Sequence, residues 1–152
     1  MKILSSLLAA LFLGACAGPP EPLVVKQFLL RDQERNSGDE PMTSMEKSRR
    51  LRGAVSMEER RQRLGQYYTL IWHDPAGLGK GPVEVTFLYQ QGASASRVKR
   101  MTRSFPSTAT GGTADFAVIG EDYFKNGKVL AWKATVTRGS REIASKRSYL
   151  WQ

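Results

Sequence analysis

Val129-Leu130-Ala131-Trp132-Lys133-Ala134-Thr135-Val136-Thr137 and Glu142-Ile143-Ala144-Ser145-Lys146-Arg147-Ser148-Tyr149-Leu150-Trp151 flank the short link Arg138-Gly139-Ser140-Arg141. Gly139-Ser140 suits a two-residue type II′ turn, because glycine takes the positive φ of its first position. The two runs therefore form a hairpin, and the loop sets its register. Arg138 opposes Arg141, Val136 opposes Ile143, Ala134 opposes Ser145, Trp132 opposes Arg147 and Leu130 opposes Tyr149. That face is apolar for most of its length and points to a core, with the Arg147 guanidinium laid across the Trp132 ring. The other face pairs Thr137 with Glu142, Thr135 with Ala144 and Lys133 with Lys146. Like charges directly opposite each other are unfavourable, so that face is solvated and is a candidate contact for an anionic partner.

Upstream, the pattern repeats. Val83-Glu84-Val85-Thr86-Phe87 alternates, with Val83, Val85 and Phe87 facing in. Tyr67 to Trp72 is an aromatic and β-branched run, and Leu23 to Leu30 is rich in strand formers. Ala114 to Ile119 is a further strand after the break at Gly111-Gly112, and Lys125-Asn126-Gly127-Lys128 is a turn. Arg97-Val98-Lys99-Arg100-Met101-Thr102-Arg103 reads as a strongly basic strand, the composition of an edge protected against aggregation. Strands therefore begin at Leu23, Tyr67, Val83, Arg97, Ala114, Val129 and Glu142. No alternation of strand and helix occurs, which excludes a parallel sheet. Seven short antiparallel strands predict an immunoglobulin-like or fibronectin-like β-sandwich, with a small β-barrel as the alternative.

One insertion, residues 32–65, interrupts the strands. Asp32 to Ser44, with Gly38 and Pro41, reads as loop. Met45 to Leu64 is the single helical section. Ser56-Met57-Glu58-Glu59 fits a capping box that opens a helix from Met57 to Leu64, and Gly65 stops it. A turn of helix from Met45 to Arg52 precedes it. Lys47, Arg49, Arg50, Arg52, Arg60, Arg61 and Arg63 make this section basic, either as a solvated face or as a contact for an anionic surface.

The N-terminal end has a different grammar. Lys2 precedes an apolar run from Ile3 to Leu13, far short of the roughly 18–20 residues a membrane span needs. A basic start, an apolar run and small residues make a secretory signal. Leu13-Gly14-Ala15-Cys16 resembles the bacterial lipobox, Leu-x-Gly/Ala/Ser-Cys. The resemblance covers the first sixteen residues. It implies a signal peptide over residues 1–15, cleavage before Cys16, diacylglyceryl attachment to the Cys16 thiol and acylation of the new amino group. Ala17 rather than Asp at the next position implies, by the sorting rule of enteric bacteria, the outer membrane facing the periplasm. Cys16 is the single cysteine of the chain, and lipidation would remove an unpaired thiol from an oxidising compartment. Residues 16–22, with Pro19, Pro20 and Pro22, then form a stiff spacer. Residues 23–152 form one domain.

Charge and residue types narrow the function. The chain has 23 Lys+Arg against 14 Asp+Glu. The signal removes Lys2 and no acid, leaving a net +8 on the mature chain. Such a charge outside the cytoplasm is matched by anionic lipid, an acidic envelope polymer or an acidic protein face; the export signal argues against nucleic acid. One cysteine and one histidine leave no zinc cluster of the usual spacing and no Cys–His pair. His73 ends an apolar strand, directly before Asp74-Pro75. Gly77-Leu78-Gly79-Lys80-Gly81 lacks the spacing of a phosphate-binding loop and reads as a turn.

The sequence thus predicts a non-enzymatic binding or assembly module without cofactor or metal. Its partners would be the membrane, through lipid on Cys16, and an anionic envelope polymer, lipid or protein. The candidate contacts are Arg97, Lys99, Arg100, Arg103, Lys133 and Lys146. Two other readings stay open. One is an envelope hydrolase drawing on the carboxylates Asp74, Asp115, Glu121 and Asp122, none at a spacing that marks an acid–base pair. The other is a structural subunit of an envelope assembly, which would expose an apolar patch.

Overall fold

A computed structural model describes residues 21–33, 38–74, 76, 81–94 and 97–152. The signal peptide, Cys16, Pro19, Pro20 and Gly77-Leu78-Gly79-Lys80 lie outside the described residues. Two antiparallel sheets pack face to face. One has three strands in the order β1 (Leu23–Leu30), β2 (Gly65–His73), β5 (Gly111–Ile119). The other has four, in the order β4 (Lys99–Phe105), β3 (Val83–Gln91), β6 (Val129–Arg138), β7 (Arg141–Arg147). The sheets are separate, so the fold is a sandwich and not a closed barrel. In a constant-type immunoglobulin domain the fourth strand joins the sheet of the first two. Here β4 pairs with β3 instead, the fibronectin-like arrangement of the two expected.

The period-2 pattern explains the packing. Val83, Val85, Phe87 and Tyr89 of β3 are buried, and the residues between them are not. Tyr68, Leu70 and Trp72 of β2 meet them from the opposite sheet. Phe87 stacks on Phe116 of β5 with ring centroids 5.5 Å apart, and on Trp132 of β6 at 6.1 Å. This aromatic set joins the two layers, in the offset and tilted geometries that aromatic rings prefer.

Among the described residues there are three α-helices; the sequence reading framed one of them and gave a turn of helix from Met45 to Arg52 where another stands. Helix α1 (Pro41–Leu51) begins four residues earlier than Met45. Pro41 is its first residue, where a missing amide hydrogen is harmless and the fixed φ already suits a helix; the proline opens the helix instead of marking loop. Helix α2 (Met57–Arg61) has the expected capping box: the Glu59 amide donates to Ser56 Oγ, and the Ser56 amide donates to the Glu59 carboxylate. It is shorter than the expected run to Leu64. Helix α3 (Gly120–Asn126) occupies what reads as turn, between β5 and β6.

Helix α1 lies on the outer face of the three-stranded sheet, whereas α2 meets α3, with the Arg61 guanidinium 4.8 Å above the Phe124 ring. The Arg50 guanidinium lies 4.3 Å above the Tyr67 ring and donates to Thr69 Oγ1. Arg63 donates to the backbone carbonyls of Arg50 and Arg52, and Tyr67 donates to the Arg63 carbonyl. Lys47 is buried, with its ammonium held at 2.7 Å by both Asp32 and Asp39. Arg50 thus ties the insertion to the sheet, while Lys47 and Arg63 bind groups within the insertion itself.

The hairpin departs from the expected register. Arg138 opposes Arg141 and Thr137 opposes Glu142 as the turn requires. The ladder then slips, so that Val136 pairs with Ala144, Thr135 with Ser145, Ala134 with Lys146 and Lys133 with Arg147. Ile143 is the extra residue of a β-bulge. The bulge lets two successive apolar side chains, Ile143 and Ala144, both pack on the core, which strict alternation forbids. Trp132 consequently pairs with Ser148: its carbonyl accepts from the Ser148 amide and its amide donates to Ser148 Oγ. Arg147 does not cover Trp132, and Lys146 does not oppose Lys133. Trp132 is nevertheless buried as expected.

Candidate functional site: the outer face of the four-stranded sheet

Cross-strand register decides which of the predicted contacts share a surface. Arg100 of β4 opposes Leu88 of β3, Leu88 opposes Lys133 of β6, and Lys133 opposes Arg147 of β7. Their strand neighbours Phe87, Tyr89, Trp132 and Ala134 are buried in the core, so this row points outward. It crosses the whole sheet, about 14 Å at the usual strand spacing. Two residues along each strand lies a second row, Thr102, Thr86, Thr135 and Ser145. The Thr135 and Ser145 hydroxyls are 3.5 Å apart. A third row holds Ser104, Glu84, Thr137 and Glu142. The face is therefore a band of cations, a band of hydroxyls and a band containing two acids.

Its charges are unevenly satisfied. Arg100 leans along the sheet and donates to Glu84 Oε1 at 2.9 Å. Lys133 and Arg147 have no acidic partner among the described residues. Two cations directly opposite each other on neighbouring strands repel, and nothing described on this face offsets the pair. Lys133 is half-buried and Arg147 exposed.

The remaining predicted contacts go elsewhere. Lys99 and Arg103 alternate with Arg100 and project to the other side of β4, because they oppose the core residues Tyr89 and Val85. Lys99 is consumed there: its ammonium donates to Asp122 of α3 and to Gln91 Oε1 at 2.7 Å. Arg97 is exposed but precedes β4 and is not a strand residue. Lys146 turns away from the row and pairs with Glu21 at 2.6 Å. Of the six candidates only Arg100 and Lys133 share the face. Arg147, which the unbulged register placed on Trp132, joins them. The signal for it was the adjacent pair Ile143-Ala144, two apolar residues where alternation demands one. The strand from Lys99 does lie at a sheet edge, as its basic composition implied.

The carboxylates do not converge. Asp74 is fully buried between Arg138 and Arg141, whose guanidiniums donate to its Oδ2 at 2.8 and 2.7 Å. Arg138 also donates to the Ser107 and Ala109 carbonyls, tying the β4–β5 connection to the hairpin. Asp115 accepts from Thr69 on the outer face of the other sheet. Asp122 is held by Lys99 and Asn126, and Glu121 is exposed on α3. His73 ends β2, exposed, as read from the sequence. Among the described residues no three His, Cys, Asp or Glu side chains are grouped to hold a metal ion. A groove of about 460 Å³ runs between α1 and β1, lined by Phe28, Met42, Met45 and Arg49 among others. Comparison with protein-family models, curated proteins and solved structures gave no match.

Proposed function

We propose that this chain is a lipid-tethered, non-enzymatic binding module of the bacterial envelope, anchored through Cys16 to the outer membrane on its periplasmic side. The outer face of its four-stranded sheet takes an anionic partner. The observation that carries the reading is the row Arg100, Lys133 and Arg147, in which two of three cations have no acidic partner among the described residues. An anionic ligand would offset the repulsion between Lys133 and Arg147 that the fold leaves in place. The engagement of Asp74 and Asp122 by cations supports binding over hydrolysis, because a general acid or base must be able to exchange its proton with substrate.

The tether would also orient the domain. Four residues lie between Cys16 and Glu21, and the five steps span at most about 18 Å. The chain enters β1 beside His73, whose amide donates to the Pro22 carbonyl. That end of the sandwich also carries Asp74, Arg138 and the Gly139-Ser140 turn, so it would face the bilayer.

Two measurements test the proposal. Cys16→Ala should give an unprocessed precursor or protein released from membranes; membrane retention without lipid label would overturn the tether. Lys133→Gln with Arg147→Gln should abolish retention on an acidic polymer at low salt, where surface charge acts over the longest distance. Unchanged retention at low salt would return the face to plain solvation.

A further inference from the structure

The geometry points to the class of ligand for this face: an acidic glycan chain, carrying carboxylate or phosphate groups as well as hydroxyls, laid across the strands from β4 to β7. The inference rests on the anion-binding reading above and adds to it. The cation row alone would take any polyanion. The row beside it is what selects. Thr102, Thr86, Thr135 and Ser145 stand in register about 7 Å from the cations, two residues along each strand. Each hydroxyl can donate and accept, which suits the hydroxyls of a sugar ring; Thr86 Oγ1 already donates to Glu84 Oε1 at 3.1 Å and accepts from Arg100, so a ligand would exchange partners there. Threonine is stiff about its first side-chain torsion, so these hydroxyls lose little freedom when a ligand arrives. Glu84 is drawn toward the cation row by Arg100 and Thr86, while the carboxylates of Glu84 and Glu142 both start from the row beyond the hydroxyls. They would repel an anionic chain that slid off the cations, and so fix its position.

The same face argues against other occupants. The three rows carry no aromatic side chain, whereas protein interfaces are enriched in them. Leu88 is the one large apolar residue of those rows and is half-buried.

The test uses the full-length chain in uncharged detergent and four probes: a polyuronate, neutral dextran, polyacrylate as a polyanion without hydroxyls, and vesicles rich in phosphatidylglycerol. The parent protein should bind polyuronate, bind polyacrylate more weakly, and not bind dextran. Thr86→Val with Thr135→Val keeps side-chain shape and removes the hydroxyls. It should weaken polyuronate binding about tenfold, the equivalent of one or two hydrogen bonds, and leave polyacrylate binding unchanged. Ser145→Ala in place of the double variant gives the same comparison if two added valines disturb the exposed sheet. Unchanged polyuronate binding in the hydroxyl variants would overturn the glycan assignment while leaving the anionic face intact. Vesicle binding as tight as polyuronate binding would overturn it in favour of a lipid surface. Polyacrylate binding by Lys133→Gln with Arg147→Gln at parental strength would overturn the underlying reading itself.

Discussion

Asp74 and Arg138 are 64 residues apart in the chain and meet at 2.8 Å inside the sandwich, both side chains almost wholly shielded from water. The carboxylate sits between two arginines that oppose each other across the hairpin end, Arg138 and Arg141. The like-charge pair that the sequence placed there is thus neutralised by an acid from another connection.

Breaking that pair should be expensive. Asp74→Asn would leave the Arg138 guanidinium buried without its counter-charge, at a cost of about 3–5 kcal/mol. Burial by itself would raise the Asp74 carboxyl. The hydrogen bonds from Arg138 and Arg141 outweigh burial and hold it below the usual carboxylate range. A depressed pKa in the folded state adds stability above the unfolded value, about 3.9, and that stability disappears as pH falls through the folded value. Denaturant melts from pH 6 downward should show an acid-side loss in the parent that is reduced in Asp74→Asn.

The bulge makes opposite predictions for two hairpin residues that an unbulged ladder would couple. Trp132→Ala removes a ring packed against Phe87 and Tyr68 and should cost about 3–5 kcal/mol. Arg147→Ala should change stability by less than about 0.5 kcal/mol and leave tryptophan fluorescence unaltered. A red shift or a loss of stability in Arg147→Ala would place its guanidinium on the indole after all.

Gly65 has no room for a side chain. Its φ is +142°, and an added Cβ would lie 2.3 Å from the Val118 carbonyl oxygen across the β2–β5 ladder. Gly65→Ala should destabilise by at least the roughly 1–3 kcal/mol of the backbone strain, with the clash in addition. Thermal melting beside Gly38→Ala, where nothing lies within 4 Å, checks it.

Tyr89 should be among the late tyrosines to ionise. Burial, then the Asp122 charge and hydrogen bond, push its phenol up to about 12. Because the folded pKa is raised, this contribution to stability is whole below the unfolded value, about 10, and is lost as pH climbs from there toward 12. Ultraviolet titration of Asp122→Asn should show one tyrosine ionising earlier than in the parent.

Sequence alone determined the layered β architecture. Alternation in Val83 to Phe87 and in Val129 to Thr137 is a local property, since side chains of successive strand residues point to opposite faces whatever the partner strand. The Ser56–Glu59 capping box was legible for the same reason, because both partners lie within one turn. The helix from Gly120 was not legible: Lys125-Asn126-Gly127-Lys128 reads as a turn, and Gly127 does cap that helix's end. What only the tertiary structure decided is which residues share a surface. Ile143 and Ala144 could both reach the core once another sheet stood there to receive them, and the resulting one-residue slip exchanged Lys146 for Arg147 on the outer face. The side-chain period of a strand is two, so a single bulged residue, invisible to local pattern, reassigns every side chain beyond it. Asp74 shows the same dependence. Nothing near it in sequence marks it as the counter-charge of Arg138, because that role exists only after the two sheets close over it.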